Sequence, residues 1–297
     1  MAIFNMRKVK NADVAGSFYY LVPEKLIKSL TDATSIIKED IKVDSALLHG
    51  AILPHAGYTY SLECSLKTLL PNIENKTYKK VVILSPTHKK FFHGIAYSNY
   101  TAFAIPTGEL QVNITSIAKL KDSKNQHFIL ADELFDLEHA IEVQLPIISH
   151  LLGKVEIVPL IVGALSVDEL TSCAQTLSSL DSEDTLWIVS SDFTHYGTNF
   201  NYTPWGTPIT CEKINKQLTY AATLVANRKL PEFFNYLKES KDTICGIYPI
   251  ALYLTILKLL NKDITGSISS ITTSAAKTNN WSNLVGYCGI KFVYTNP

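Results

Sequence analysis

The sequence predicts an α/β protein: a three-layer α/β/α sandwich around a mixed, mostly parallel central sheet. Three observations predict it. Apolar, β-branched runs alternate with helix-spaced segments, as in sheets covered by helices on both faces. A hairpin-like middle and two consecutive strands at the end make the sheet mixed. No Gly/Ser or Pro-rich linker and no repeat divides the chain, so residues 1–297 form one domain.

The elements follow in order. SALLHGAILP (Ser45 to Pro54) reads as a strand, CSLKTLL as a helix and KKVVILSP as a strand. GIAYSNYTAFAI and GELQVN are extended segments around a turn at Pro106–Gly108, and VNITSIAKL starts a helix. LEHAIEVQLPIISHLL has helical spacing at Ile141, Leu145 and Ile148, with a kink expected at Pro146. KVEIVPLIVG is a strand, VDELTSCAQTLSSL a helix capped by Ser166, and TLWIVSSD a strand. Two or three helices fill Cys211 to Leu260, and GSISSITTSAA and NLVGYCGIKFVYT are the last strands.

Composition narrows the function classes. Hydrophobic residues are 46 % of the chain and charged residues 18 %, enough apolar material for a large core. Lys plus Arg balances Asp plus Glu, 27 against 27, which speaks against a nucleic-acid or polybasic membrane binder. The N-terminal segment MAIFNMRKVKNADVAG lacks the apolar stretch of a signal peptide, and no run is long enough to span a bilayer. Five scattered cysteines, none in a CxxC pair, point to free thiols in a reducing, cytoplasmic setting. There is no GxGxxG after a strand, no Walker loop, no HExxH and no GxSxG.

The chemistry-bearing residues sit where strands should end. They are His55 in ILPHAGYTYS, His88 in VVILSPTHKK, Asp192 and His195 in IVSSDFTHYG, and Cys245 in KDTICGIYPI. An open α/β sheet places its ligand crevice outside the carboxyl ends of its strands, so these groups can converge. LPH and SPTH are two similar strand–Pro constructions, and neutral imidazole is the commonest metal ligand. Either histidine alone would read as an ordinary loop residue, as His93 does. Cys245 precedes a long apolar helix that Asp242 or Thr243 can cap, a position expected to lower a thiol pKa. Cys64, Cys173 and Cys288 read as small packed hydrophobes. Asp192 can orient an imidazole or cap the next turn, and His195 can move protons at neutral pH. Glu138, His139 and Glu142 are placed at the rim or behind the ligands. Tyr58, Tyr60, Tyr248 and Trp281 are expected pocket walls, with His139 beside them.

AGSFY (Ala15 to Tyr19), PHAGYTYS, LSPTHK, EHAIEVQLP, PLIVGAL, SSDFTHYG and TICGIYPI occur in this order. Together they resemble the Memo family, from about Ala15 to the C-terminus. That family is similar in fold to class III extradiol ring-cleaving dioxygenases, which hold non-haem Fe(II) on two His and one carboxylate. The resemblance implies His55 and His88 as metal ligands, Cys245 as the third, His195 as acid/base and Asp192 lining the site. A thiol in place of the carboxylate shifts preference toward copper(I), zinc or thiolate-bound iron(II). Asp13 stands where some relatives carry His. Ring cleavage does not transfer with the fold.

Three functions follow as expectations. The first is a metal-dependent redox enzyme or dioxygenase using iron(II) or copper(I), with zinc as a further candidate. The second is a non-catalytic binding or signalling module that takes a peptide or small aromatic ligand in the same pocket. The third is a metal-free hydrolase with Cys245 as nucleophile and His195 as base.

Overall fold

A computed structural model describes residues 7–73, 76–136 and 138–295. A short strand β1 (Val9–Lys10) leads to helix α1 (Pro23–Asp40). Strand β2 (Leu48–Leu53), helix α2 (Tyr58–Ile73) and strand β3 (Lys80–Ser85) follow. The middle is β4 (Ile95–Tyr97), β5 (Ala102–Ile105), β6 (Gly108–Val112), α3 (Ile114–Asp122) and β7 (Phe128–Leu130). Short helices α4 (Asp132–Phe135) and α5 (His139–Glu142) precede α6 (Gln144–Leu152) and β8 (Glu156–Val162). Then come α7 (Val167–Ser178), β9 (Thr185–Ser190) and β10 (His195–Gly197). The C-terminal part holds α8 (Cys211–Ala226), α9 (Leu230–Ser240), α10 (Ile247–Leu260), β11 (Ile264–Thr273), α11 (Ala275–Thr278) and β12 (Asn283–Tyr294).

The sheet runs β1-β5-β6-β8-β3-β9-β2-β12-β10. From β6 to β2 every pairing is parallel, while β5–β6, β2–β12, β10–β12 and β11–β12 are antiparallel. Side chains alternate across the strands and feed two separate cores. Val82, Leu84, Val158, Leu160, Trp187 and Val189 face the side that also holds residues of α7, α8 and α10. Val81, Ile83, Ile157, Ile161, Leu186 and Ile188 face the side of α1, α2 and α6. This is the expected three-layer sandwich. No helix among the described residues is long and apolar enough to cross a membrane.

Local chemistry explains the boundaries. Ser166 caps α7 in a reciprocal capping box with Glu169, as its sequence position predicts. The expected single helix over LEHAIEVQLPIISHLL is two helices broken at Val143, and its first residue, Leu137, lies outside the described residues. Pro146 causes the break three residues earlier: it has no N–H for the Glu142 carbonyl, and its ring crowds that carbonyl. Pro159 lies inside a central strand, a place proline normally avoids. One side of β8 pairs with β6 as far as Ile157 and with β4 from Ile161. Ile157 points its carbonyl to that side, accepting from the Asn113 N–H. Pro159 points the same way, into the gap between partners, where no donor is needed.

A buried polar network lies under the same sheet. Asp181 accepts from Trp187 Nε1 (2.9 Å) and Lys262 Nζ (2.6 Å) and pairs with His49 Nε2 (3.1 Å). His49 Nδ1 meets the Tyr253 hydroxyl at 2.8 Å. Burial would raise the Asp181 carboxyl, but these partners outweigh it and hold it down at about 2. Asp181→Ala should therefore cost about 2 kcal/mol in urea unfolding, because it leaves the buried His49 ring and the indole N–H without their acceptor. A carboxyl depressed from its ordinary 3.8 contributes stability above that pH and loses it as pH falls toward 2. The acid limb of wild-type stability should be shallower in the variant; an unchanged limb would contradict the network's role.

Candidate metal centre

The site forms at the carboxyl ends of β2, β3 and β9, where both strand–Pro–His constructions deliver their rings. His55 follows Pro54 at the end of β2 and is 2 % exposed. Its backbone N–H donates to Asp192 Oδ1 at 2.9 Å. Its Nδ1 lies 3.0 Å from Ser190 Oγ, the last residue of β9. That hydroxyl gives its own proton to the Ala140 carbonyl (2.7 Å) and accepts from Gln144 Nε2 (2.9 Å). Ser190 must then accept from His55 as well, so Nδ1 carries the proton. His55 Nε2 is left with its lone pair toward the site.

His88 is set the same way by a carboxylate. Glu138, the N-cap of α5, accepts the His88 backbone N–H at Oε2 (2.7 Å) and the ring Nδ1–H at Oε1 (2.9 Å). Burial would raise the Glu138 carboxyl, but the His88 bond and charge outweigh it and keep it below its usual range. A histidine anchored through Nδ1 on a carboxylate presents Nε2 outward, the arrangement of metal-binding imidazoles.

His139 opens α5 beside both rings, with centroids 5.4 Å from His55 and 4.8 Å from His88. One ligand atom from each of His55, His88 and His139 lies within 4.8 Å of the others, so the three could hold a metal ion. His139 thus joins the imidazole group, rather than standing at the rim or behind the ligands. Burial and the His88 charge lower His139 to about 4, and burial pushes His55 well below its ordinary value. His55 and His139 need lose no proton to bind a metal, which suits this donor set to one.

Cys245 Sγ lies 3.3 Å from His55 Nε2 and accepts the Asp192 backbone N–H at 3.2 Å. It stands on the His55 side and is not a member of the three-histidine group. The expected lowering of its pKa does not occur: burial, then the Asp192 charge, push the thiol up. Cys245 precedes the N-cap of α10, Gly246, and that cap has no side-chain bond. Asp242 and Thr243 do not cap α10. Asp242 accepts from the Thr243 N–H and the Thr194 hydroxyl, and Thr243 Oγ1 bonds the backbone of His195.

Asp192 does not orient an imidazole; its carboxylate serves the His55 backbone, and burial raises it to about 7. His195 is held instead by the backbone of Thr243 and Phe193; the Thr243 carbonyl takes its Nδ1–H at 2.9 Å, which leaves the lone pair on Nε2. Burial lowers the His195 pKa.

A cavity of about 480 Å³ opens in front of these groups and is lined by His139, Asp192 and His195. Phe18, Tyr60, Phe200 and Tyr287 are its aromatic walls, and no Lys or Arg among the described residues lines it. Of the expected walls, Tyr60 and His139 are there. Tyr58 is in the core, its hydroxyl donating to the Val143 carbonyl, because α2 begins there and turns it inward. Tyr248 and Trp281 pack partly buried against the core on the α8–α10 side and do not line the cavity. Glu142 accepts from the Asp13 and Val14 N–H groups and the Tyr19 hydroxyl. It anchors the AGSFY turn, which lays Phe18 against His139 at 4.9 Å.

A family model described as Memo-like protein matches residues 10–291. A MEMO1 family protein of Schizosaccharomyces pombe is 28 % identical over 280 residues, covering 85 % of this chain and 89 % of that one. The memo-1 homolog of Caenorhabditis elegans is 29 % identical, over 82 % of this chain and 70 % of its own. Protein MEMO1 of Xenopus laevis is 27 % identical, over 87 % and 88 %. Every residue of the site falls inside the matched span. The chain belongs to the family of Memo-like proteins.

Proposed function

We propose that this protein holds one redox-active metal ion, iron(II) or copper(I), on His55 and His88, with His139 and Cys245 as the adjoining donors. The observation that carries this reading is the set of three imidazoles with ligand atoms within 4.8 Å of one another. The Ser190 and Glu138 bonds support it, because each occupies a ring's Nδ1 and frees Nε2. A thiolate and an imidazole nitrogen on one tetrahedral metal lie about 3.6 Å apart. Cys245 Sγ and His55 Nε2, at 3.3 Å, are close to that spacing. Binding there would take the proton off the Cys245 thiol, so affinity rises with pH.

A bound ion would supply one-electron or oxygen chemistry, making the protein a metal-dependent oxidoreductase or dioxygenase. His195 Nε2, facing the cavity, is the atom that takes or gives a proton. The aromatic walls and missing cations favour an uncharged, small aromatic substrate. The same walls favour a second reading, capture of an aromatic ligand or peptide side chain without turnover.

Anaerobic titration of the reduced protein with iron(II) and copper(I) tests the donor set. One equivalent should bind tightly. Cys245→Ser should weaken copper(I) by more than about 100-fold, beyond the loss expected of a supporting residue. His139→Ala should weaken both ions. Wild-type affinity in both variants would overturn the donor set. His195→Ala should leave affinity unchanged and slow oxygen uptake with a catechol.

A further inference from the structure

A second cavity, of about 790 Å³, is larger than the one at the metal centre and shares none of its lining residues. It lies between the start of α7, the α8–α9 turn and the far half of α10. Its floor is apolar: Leu170, Leu254 and Leu257 are buried, and Leu230 and Phe234 pack partly buried beside them. Its lining carries four basic residues, Arg228, Lys229, Lys258 and Lys262, against one acidic residue, Asp263.

Two of the four cations are committed. Lys262 Nζ is held by Asp181 at 2.6 Å, and Lys229 faces Glu232 at 3.9 Å. Arg228 and Lys258 make no ion pair or side-chain hydrogen bond among the described residues, and both are exposed. Arg228 sits in the left-handed region (φ 56°) just past α8, where glycine or asparagine is the usual occupant.

An apolar floor beneath two unpaired cations matches a ligand with an apolar body and an anionic head. The volume lies within the range of small-molecule sites. A bare phosphate would leave the floor wet, and a neutral hydrocarbon would leave the two cations unused. We infer that this cavity binds an amphipathic organic anion of the medium-chain carboxylate class, its chain on Leu230, Phe234 and Leu257 and its head on Arg228 and Lys258.

The test uses the full chain and 1-anilinonaphthalene-8-sulfonate, an aromatic sulfonate whose emission rises on burial, with octanoate as competitor. The cavity should take one equivalent, displaced by octanoate and not by 1-octanol at the same concentration. Arg228→Gln with Lys258→Gln should weaken the probe and octanoate at least tenfold. Thr171→Trp, which fills the cavity from an exposed position on α7, should block both. Neither change should alter metal affinity at the His55–His88 centre. No binding, equal displacement by octanol, or an unchanged affinity in the double variant would each overturn the inference.

Discussion

His55→Ala should abolish stoichiometric metal binding, lowering affinity by more than about 100-fold, while the protein stays folded. The ring is the one donor that touches both halves of the proposed set. Its Nε2 faces Cys245 Sγ at 3.3 Å, and its ring centroid lies 5.0 Å from that of His88. Removing it takes a first donor from the ion, a larger loss than the 10- to 100-fold typical of residues that merely support a ligand. The fold should survive because the anchoring bond to Asp192 comes from the His55 backbone, which alanine keeps. Ser190 likewise keeps its bonds to Ala140 and Gln144. Elemental analysis after anaerobic loading, with urea unfolding of the same sample, checks both halves. Full metal content in the variant would remove His55 from the ligand set.

Glu138→Gln should weaken metal binding by about 10- to 100-fold, nearly as much as Glu138→Ala. The carboxylate accepts three hydrogens: two from the backbone N–H groups of His88 and Ala140 and one from the His88 ring. Glutamine has one acceptor oxygen and one donor nitrogen. If its oxygen faces the ring, its amide nitrogen faces the His88 N–H, donor against donor. If it flips, the amide confronts Nδ1–H, and the ring must move its proton to Nε2, where it blocks the metal. Both variants should also lose about 1–3 kcal/mol in stability from the unpaired buried groups. Metal competition titrations measure the first effect and denaturant unfolding the second. Wild-type affinity in Glu138→Gln would mean that His88 is oriented by something other than this carboxylate.

Much of the fold was legible because its signals are local. The Ser166 capping box, the strand–Pro–His endings and the mostly apolar α10 all declare themselves within a few residues. His55, His88 and Asp192 come together because the parallel strands β2, β3 and β9 deliver their C-terminal ends to one edge; Cys245 comes not from a strand end but from the α9–α10 loop, and His195 from the start of the antiparallel β10. The rest depends on docking. His139 enters the site because the turn of EHAIEVQLP lands on the end of β3; its i, i+3 spacing to Glu142 is compatible with metal binding but equally with an ordinary surface pair. Ser190, 135 positions from His55, sets its tautomer together with Gln144, from a strand end and a helix start that carry no local sign of that role. Tyr58 lies in the core rather than at the cavity because the α2 boundary decides which way it points. The nearby helix suggests a lowered Cys245 thiol, whereas burial and then Asp192 dominate its environment and raise it.

The site's chemistry also constrains how it behaves without metal. Burial keeps His55 and His195 below their ordinary values, and His139 stays near 4, so these rings are neutral around pH 7. On the proposed donor set, His55 and His139 shed no proton on binding and the Cys245 thiol does.

Anaerobic reconstitution with iron(II), followed by crystallography with anomalous scattering at the iron edge, tests the central claim most directly. The account predicts one iron per chain, within about 2.3 Å of the Nε2 atoms of both His55 and His88, with Cys245 Sγ or His139 completing its protein ligands. Iron bound elsewhere, ligation through the Nδ1 atoms that Ser190 and Glu138 occupy, or an iron-free pocket after full loading would contradict it.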